Sequence, residues 1–453
     1  MQNSLSQTAT ATITTSPGAM PTPEEELRPL TSLGRLLNPD PKRLLNLISI
    51  ALLAVWCAWW GMSLVRQDLI GVNRGWFPAC FGVDFIWHVD RPTRVWLAGG
   101  DPYADKTRMC SYPPLVFRMF SWVGMVTPNQ ALTIWICVLG LLAAGGAWAA
   151  WRCRRQLGLS DVPLSAMLVA MLYSSPMVFA MERGQYDLVT VPIVMAALAI
   201  MRRESRWRQV LAGAVLAIAP WAKVYPGLLG IGLAGLRKWD ALASFAIVGL
   251  AIGAAIPSDT TRFLINNDLH MAEAKANSRM EQNTRVCPWN HSLSDNWPRI
   301  WNETPLRFLS KINGYVATAL ILGPILGWVS VQVYRCRQRD RLAFGYLMWV
   351  VAVATFVPPV ANDYTLMFLP LAVMSVCHRR DPLIGFVAIA ALVIWWQPVM
   401  VNISGRVLIL MKLAALLSVG VSLAERACAL NGASAAELRK PGEFSEKPMG
   451  LAA

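Results

Sequence analysis

Acidic residues are scarce in this sequence: 27 Asp and Glu stand against 41 Lys and Arg, and charged residues make up only 15 % of 453 positions. With 55 % hydrophobic residues and a mean hydropathy of +0.42, too little polar surface remains to cover a soluble enzyme, so the bilayer is the expected solvent. Histidine is rarer still, with four in the chain, and none of the nine cysteines has a partner at metal-ligand spacing, which speaks against a zinc site. No internal period and no two-half symmetry is visible, which weakens the case for a transporter built from repeats. Residues 1–43 lack the short apolar core and small-residue cleavage site of a signal peptide. The formal charge of +14 is spread over many short clusters rather than one face, so no nucleic-acid partner is expected.

What is present is a rhythm of apolar stretches and arginines. Stretches at 44–65, 130–151, 162–181, 187–201, 208–222, 224–237, 240–256, 312–334, 342–358, 364–378, 383–400 and 406–424 are the expected spans. Basic clusters close every second one: Arg152 and Arg154 around Cys153, Arg202/Arg203/Arg206/Arg208, Arg237/Lys238, Arg335/Arg337/Arg339/Arg341 and Arg379/Arg380. Short loops rich in Lys and Arg face the cytoplasm. With Met1 inside, the long loops 66–129 and 257–311 therefore lie outside, with the turns 182–187, 358–363 and 401–405. The expected fold class is an all-α polytopic membrane protein of about 12 transmembrane helices with two large extracytoplasmic loops. It consists of one transmembrane domain over 44–429 between cytoplasmic tails, 1–43 and 430–453, whose composition predicts disorder. Several stretches are shorter than the roughly 20 residues of a straight crossing. Two of them meet at Ala222-Lys223-Val224-Tyr225-Pro226, a break tolerable only where protein or water satisfies the freed backbone groups. The apolar segment 115–127 is too short to span and reads as interfacial or re-entrant. Most of the tryptophans near the outer face, Trp59 and Trp60 among them, fit an aromatic belt.

The chemistry-bearing residues concentrate on the expected outer face. Asp84 sits among Phe81, Phe85 and Trp87, surroundings that partly remove a carboxylate from water and make it a better base. The competing reading, stronger on spacing alone, is that Asp84 caps a helix over 85–98. Asp101 before Pro102 reads as a turn or helix start. Lys223 lies between two apolar stretches, a costly position unless it faces a cavity or meets a partner, and is a functional candidate on that ground; snorkelling to the interface is the alternative. The turn Glu182-Arg183-Gly184-Gln185-Tyr186-Asp187 gathers two acids, an arginine and an amide suited to sugar hydroxyls or a phosphate, or else is a solvated connection. Asn290, His291 and Ser292 stand in the second long loop, where no neighbour completes a metal site around His291. Asp363 either contacts an acceptor or caps the following helix. Cys80 and Cys110, on the oxidising side, form a disulfide or remain thiols.

Asp84-Phe85, Gly100-Asp101-Pro102-Tyr103, Tyr112-Pro113-Pro114-Leu115, Gly184-Gln185, Lys223 with Pro226, and Asn290-His291-Ser292-Leu293 occur in an order and spacing that resembles glycosyltransferase family 87. These are polyprenyl-phosphate-sugar-dependent transferases of the GT-C superfamily, and the resemblance spans roughly 44–378. It implies a GT-C-like bundle in the plasma (inner) membrane with an extracytoplasmic active site. It further implies inverting transfer of a sugar, expected to be a hexose such as mannose, from a polyprenyl-phosphate donor to a lipid or cell-envelope glycan, with Asp84 as general base. A phosphate leaving group is already anionic and needs no acid, so one base suffices; a glycoside hydrolase would want two carboxylates. Arg91, Arg94, Arg183, Lys223 and His291 are the cations available to the departing phosphate. Asp101, Tyr103, Tyr112, Gln185, Asp187, Asn290, Ser292 and Asp363 are the expected sugar or acceptor contacts. Membrane lipid, the lipid-linked sugar and the acceptor are the expected partners. No cofactor beyond the donor and no divalent metal is expected, since Asp84 and Asp90 are not an adjacent acidic pair. Trp87-His88 stand where a pair such as Val-Tyr is the family pattern, and Asp187 where asparagine is commoner. The alternatives are a transporter or flippase of lipid-linked sugars, which would need mid-helix ionisable residues that are few here, and a non-catalytic scaffold.

Overall fold

The computed structural model describes residues 40–65, 81–104, 110, 112–159, 162–203, 205–266, 291–302, 304–358, 363–378, 381, 383 and 405–437. Among them every regular element is helical and no strand occurs. Four helices are long and apolar enough to cross a membrane: Pro41–Met62, Pro128–Gln156, Gly314–Arg335 and Arg406–Gly432. Two bent pairs, Leu164–Leu172 with Ser175–Arg183 and Trp239–Ala255 with Pro257–Asn266, raise the number to six if each is one span. The first helix shows why lipid is required. Only 11 % of its apolar window is buried, so Leu47, Ile48, Val55 and Met62 face outward, which water penalises and hydrocarbon does not. The chain is a helical membrane protein.

Local chemistry sets the helix bounds. Pro128–Gln156 opens on a capping box in which Gln130 N donates to Thr127 Oγ1 (3.4 Å) and Thr127 N donates to Gln130 Oε1 (3.0 Å). Pro128 needs no partner at the first position, and Arg154 and Arg155 complement the dipole in the last turn. Prolines account for the bends of 58° and 97°: Pro176 and Pro257 open the second members, and neither has an N–H to give the preceding turn. At the anticipated break one helix ends at Ala222, Lys223 is extended (φ −149°, ψ 136°) and a 3-10 turn begins at Tyr225. Residues 115–127 form only Leu115–Met119 and Ser121–Met125, far too short to cross.

Several expected spans are subdivided. The stretch 208–222 is Arg206–Leu216 followed by Ile218–Ala222, and Asp187–Met201, Tyr225–Gly235, Ala343–Ala354 and Thr365–Val376 are apolar but shorter than a straight crossing. The last helix, Gly405–Glu437, continues past the expected boundary at 430. Residues 384–400 lie outside the described residues. At the centre, all of Ala343–Ala354 is buried, as a helix apolar on every side must be. Its polar atoms are satisfied: Tyr346 donates to Ser330 Oγ (2.7 Å) and Trp349 Nε1 to the Leu416 carbonyl (2.8 Å).

The basic clusters converge on one end of the bundle. Cys153 Sγ donates to the Arg341 carbonyl (3.2 Å), Arg339 Nε to that of Leu236 (2.8 Å), and Lys238 Nζ lies 3.2 Å from Asp340 Oδ1; Arg379 and Arg380 lie outside the described residues. On the same helix as Cys153, Trp135 Nε1 donates to the Gly184 carbonyl (3.0 Å). At 1.5 Å per residue these two positions are about 27 Å apart along the axis. The 182–187 turn and the arginines thus occupy opposite ends of the molecule.

Candidate functional site

Two glycines in the left-handed region bring the first loop onto the 182–187 turn. The helix Ser175–Arg183 closes with Gly184 at φ 71°, Gly184 N donating to Met181 O (3.2 Å) and Gln185 N to Ala180 O (2.8 Å), a Schellman ending that only glycine adopts without strain. This sharp reversal throws Arg183 and Gln185 to the same side. Gly82, also at φ 71°, starts the helix Val83–Phe85 and donates its N–H to the Glu182 carbonyl (2.6 Å). A Cβ on Gly184 would stand 2.6 Å from Phe85 Cβ. The substitution Gly184→Ala should therefore destabilise the protein by about 2–4 kcal/mol, from the left-handed backbone and overpacking together, and lower activity as well. Thermal unfolding of the purified variant checks the first figure.

Asp84 is 3 % exposed and does not cap a helix: the N-cap is Gly82, and Asp84 lies inside the first turn. The helix reading over 85–98 gives way to a run that begins at Val83, passes through a π-helical turn Ile86–Asp90 and ends at Leu97. The carboxylate instead meets Arg183, whose Nε donates to Oδ2 (2.6 Å) and whose Nη2 donates to Oδ1, while Gln185 Nε2 donates to Oδ2. The surroundings are thus charged and hydrogen-bonded as well as aromatic, and the planar guanidinium makes the pairing bidentate. Tyr112 donates to Gln185 Oε1 (3.4 Å), and its ring lies 4.7 Å from Lys223 Nζ. Lys223 pairs with Asp187 (3.2 Å to Oδ1), which also accepts from the Tyr225 hydroxyl. The side chains of Asp187 and Lys223 are 0 % and 16 % exposed, so Lys223 resolves its cost through a partner rather than by snorkelling. Tyr186, whose hydroxyl donates to the Ala222 carbonyl (2.7 Å), ties the turn to the break that holds Lys223 extended. Phe85, Phe120 and Trp135 pack beneath as an aromatic floor.

The structure thus brings Asp84, Arg183, Gln185, Tyr112, Lys223 and Asp187 into one chain of contacts and adds Tyr225, which sequence reasoning saw only as part of the break. Its pairing follows from the extended backbone at Lys223, which no periodicity announces. Other candidates stand apart. Arg94 is held by Asp90 (3.0 Å) and the Val126 carbonyl (2.7 Å), and Arg91 lies over Trp87 at 5.0 Å. Asp101 makes a turn by accepting from Tyr103 N (3.0 Å), and Tyr103 supports the site from behind by donating to the Tyr112 carbonyl (2.9 Å). Burial pushes the Tyr103 phenol well above its ordinary range, so it acts as a neutral donor. His291 is buried against Phe356, with Nε2 at 3.2 Å from Thr355 Oγ1 and 3.3 Å from Thr365 Oγ1. Ser292 caps the helix Leu293–Trp301 by accepting from Asp295 N (3.2 Å). Asp363 begins the 3-10 turn Asp363–Met367, and Asn290 lies outside the described residues. Among the described residues no three His, Cys, Asp or Glu side chains are grouped to hold a metal ion.

Cys110 is a buried free thiol donating to the His88 carbonyl (3.5 Å), and Cys80 lies outside the described residues. Burial pushes the Cys110 thiol up to about 12, so it stays protonated at neutral pH and forms thiolate only as pH approaches that value. Maleimide at pH 8 should leave Cys110 unlabelled in the native protein and label it after denaturation; mass spectrometry of the peptides reads the difference.

The family model of glycosyltransferase family 87 matches residues 111–359, more than half of the chain, a range that holds Tyr112, Arg183, Gln185, Asp187, Lys223 and Tyr225 and begins after Asp84. No curated protein and no solved structure matches. With an apolar helical bundle and a buried polar network at one end of it, this chain belongs to glycosyltransferase family 87.

Proposed function

We propose that the protein transfers a sugar, a hexose such as mannose, from a polyprenyl-phosphate donor to a lipid or cell-envelope glycan, with inversion and with Asp84 as general base. The observation that supports this reading is the junction of Arg183, Asp84 and Gln185 with Tyr112 and the Lys223–Asp187 pair. Asp84 Oδ2 accepts two donors and Oδ1 one, so Oδ1 keeps lone-pair capacity for an acceptor hydroxyl. In the proposed step that hydroxyl loses its proton to Oδ1 while its oxygen bonds to the anomeric carbon. The bond from that carbon to the phosphate oxygen breaks, and the electron pair leaves with the phosphate. Arg183 and Lys223 offset the developing charge, which makes a divalent metal unnecessary in this scheme. Arg183, 24 % exposed beside a carboxylate at 4 %, marks the side from which the acceptor enters. Tyr112, Gln185 and Asp187 orient sugar hydroxyls, with Asp101 and Tyr103 behind them.

The proposed setting is the plasma membrane, with about 12 spans, external loops 66–129 and 257–311, cytoplasmic tails and the site on the extracytoplasmic side. Its support is the separation of the arginine clusters from the 182–187 turn along one helix. No observation favours transport of lipid-linked sugars. Purified protein in proteoliposomes with radiolabelled polyprenyl-phosphate sugar tests the reading: label should move onto an acceptor, and label that crosses the bilayer without reaching one would refute it.

A further inference from the structure

At the arginine-bearing end of the bundle, far from Asp84, lies a cavity of about 580 Å³ whose walls include Arg152, Arg202, Lys238, Arg341, Trp148 and Leu198. It assembles residues from four of the basic clusters, from Arg152 to Arg341 along the sequence, because Cys153 is hydrogen-bonded to the Arg341 carbonyl and Arg339 to that of Leu236. The charge is one-sided. Asp340 is the acid in the wall, and it is already paired with the buried Lys238 at 3.2 Å. Among the described residues Arg152, Arg202 and Arg341 make no ion pair, and Arg152 instead lies over the Trp148 ring at 5.2 Å. Three exposed arginines around one cavity, with no acid among the described residues paired to them, offer donors to an anion. The other wall is apolar: Trp148 is 40 % exposed on a membrane-spanning helix, with Leu198 and Met195 beside it.

We propose that this cavity binds an anionic phospholipid, its phosphate held by Arg152, Arg202 and Arg341 and its upper acyl chain lying on Trp148 and Leu198. A guanidinium fork matches phosphate oxygens, and cations beside an apolar wall at a helix end complement the anionic headgroup and first methylenes of such a lipid. A soluble phosphate would use the cations and leave the apolar wall bare. The site is independent of the transfer chemistry: it shares no residue with the Asp84 network.

Native mass spectrometry of the full-length protein, released from detergent in mixed phosphatidylglycerol and phosphatidylcholine, tests this. Phosphatidylglycerol should be retained in preference, inorganic phosphate at millimolar concentration should not displace it, and the double variant R202Q/R341Q should bind it about thirtyfold more weakly, each charge contributing about fivefold. Both arginines are exposed, so folding should survive; the single variant Arg341→Gln should lose about fivefold, and the single variant Arg206→Gln, outside the cavity, controls for general charge loss at equal charge and should bind as the parent does. Equal retention of the two lipids, displacement by phosphate, or an equal loss in Arg206→Gln would overturn the proposal. Transfer assays on the same variants keep the two readings apart, because lipid retention is read without any glycosyl transfer.

Discussion

Replacing Asp84 by asparagine should lower the rate of glycosyl transfer by about 10²–10⁴-fold, the range that a positioned general base contributes, while the KM for the lipid-linked donor changes little. Asparagine has the same shape and still offers one oxygen to Arg183 Nε, but its amide takes no proton. Loss of the charge also releases Arg183. That side chain is 24 % exposed and can turn toward water, so the stability cost should be smaller than for a wholly buried pair. Kinetics in proteoliposomes, read as kcat and KM separately, distinguish the two contributions: a lost base lowers kcat, whereas a displaced Arg183 also raises donor KM. In Asp84→Ala, added formate should restore part of the rate by entering the space left by the carboxylate. A variant that transfers sugar at the parental rate would remove Asp84 from the mechanism.

Breaking the Lys223–Asp187 pair should have the largest effect on stability, and the effect should be unequal on its two sides. Lys223→Met leaves a carboxylate whose side chain is 0 % exposed with the Tyr225 hydroxyl but without its cation, and removal of one partner of a buried pair costs about 3–5 kcal/mol. Asp187→Asn leaves an ammonium that is 16 % exposed and lies 4.7 Å from the Tyr112 ring and 5.3 Å from that of Tyr186, so a cost of about 1–3 kcal/mol is expected. The double variant should recover most of the loss, because neither charge is then left alone. Thermal unfolding of the three variants in detergent closes the cycle, and equal losses on the two sides would show that the pair is not the buried contact described. Activity should separate from stability here. If Lys223 steadies the departing phosphate, Lys223→Met loses transfer even at temperatures where it is folded, whereas Asp187→Asn, which keeps the cation and one oxygen for a sugar hydroxyl, loses less.

The site was legible in parts, for reasons that can be traced residue by residue. Lys223 stood out because a cation between apolar stretches is expensive wherever it lies, and Arg183, Gln185 and Asp187 because a polar turn interrupts an apolar pattern. Asp84 was visible as an acid among aromatics, yet spacing favoured a cap, since the left-handed turn at Gly82 that sets the helix start two residues earlier leaves no periodic trace. Arg94 looked like the equal of Arg183 as a phosphate ligand; only packing reveals that Asp90 and the Val126 carbonyl hold it. Ser292 likewise reads as a sugar contact in sequence and as a helix cap in space. The division of the expected span 162–181 arises beside Pro176, and the sharp turn after 240–256 at Pro257, where a missing N–H decides what hydropathy alone cannot.

By itself the amino-acid order determined that this chain lives in lipid, that it is helical and that its basic residues punctuate alternate apolar stretches, because transfer free energy and charge act locally and additively along a chain. Tertiary structure decided which of many scattered polar groups meet: Asp84 with Arg183, Lys223 with Asp187, and Arg152 with Arg202 and Arg341 around one cavity. Such meetings depend on the angles at a few turns, and a difference of one dihedral at Gly82 or Gly184 carries a side chain to another partner while leaving composition and hydropathy untouched.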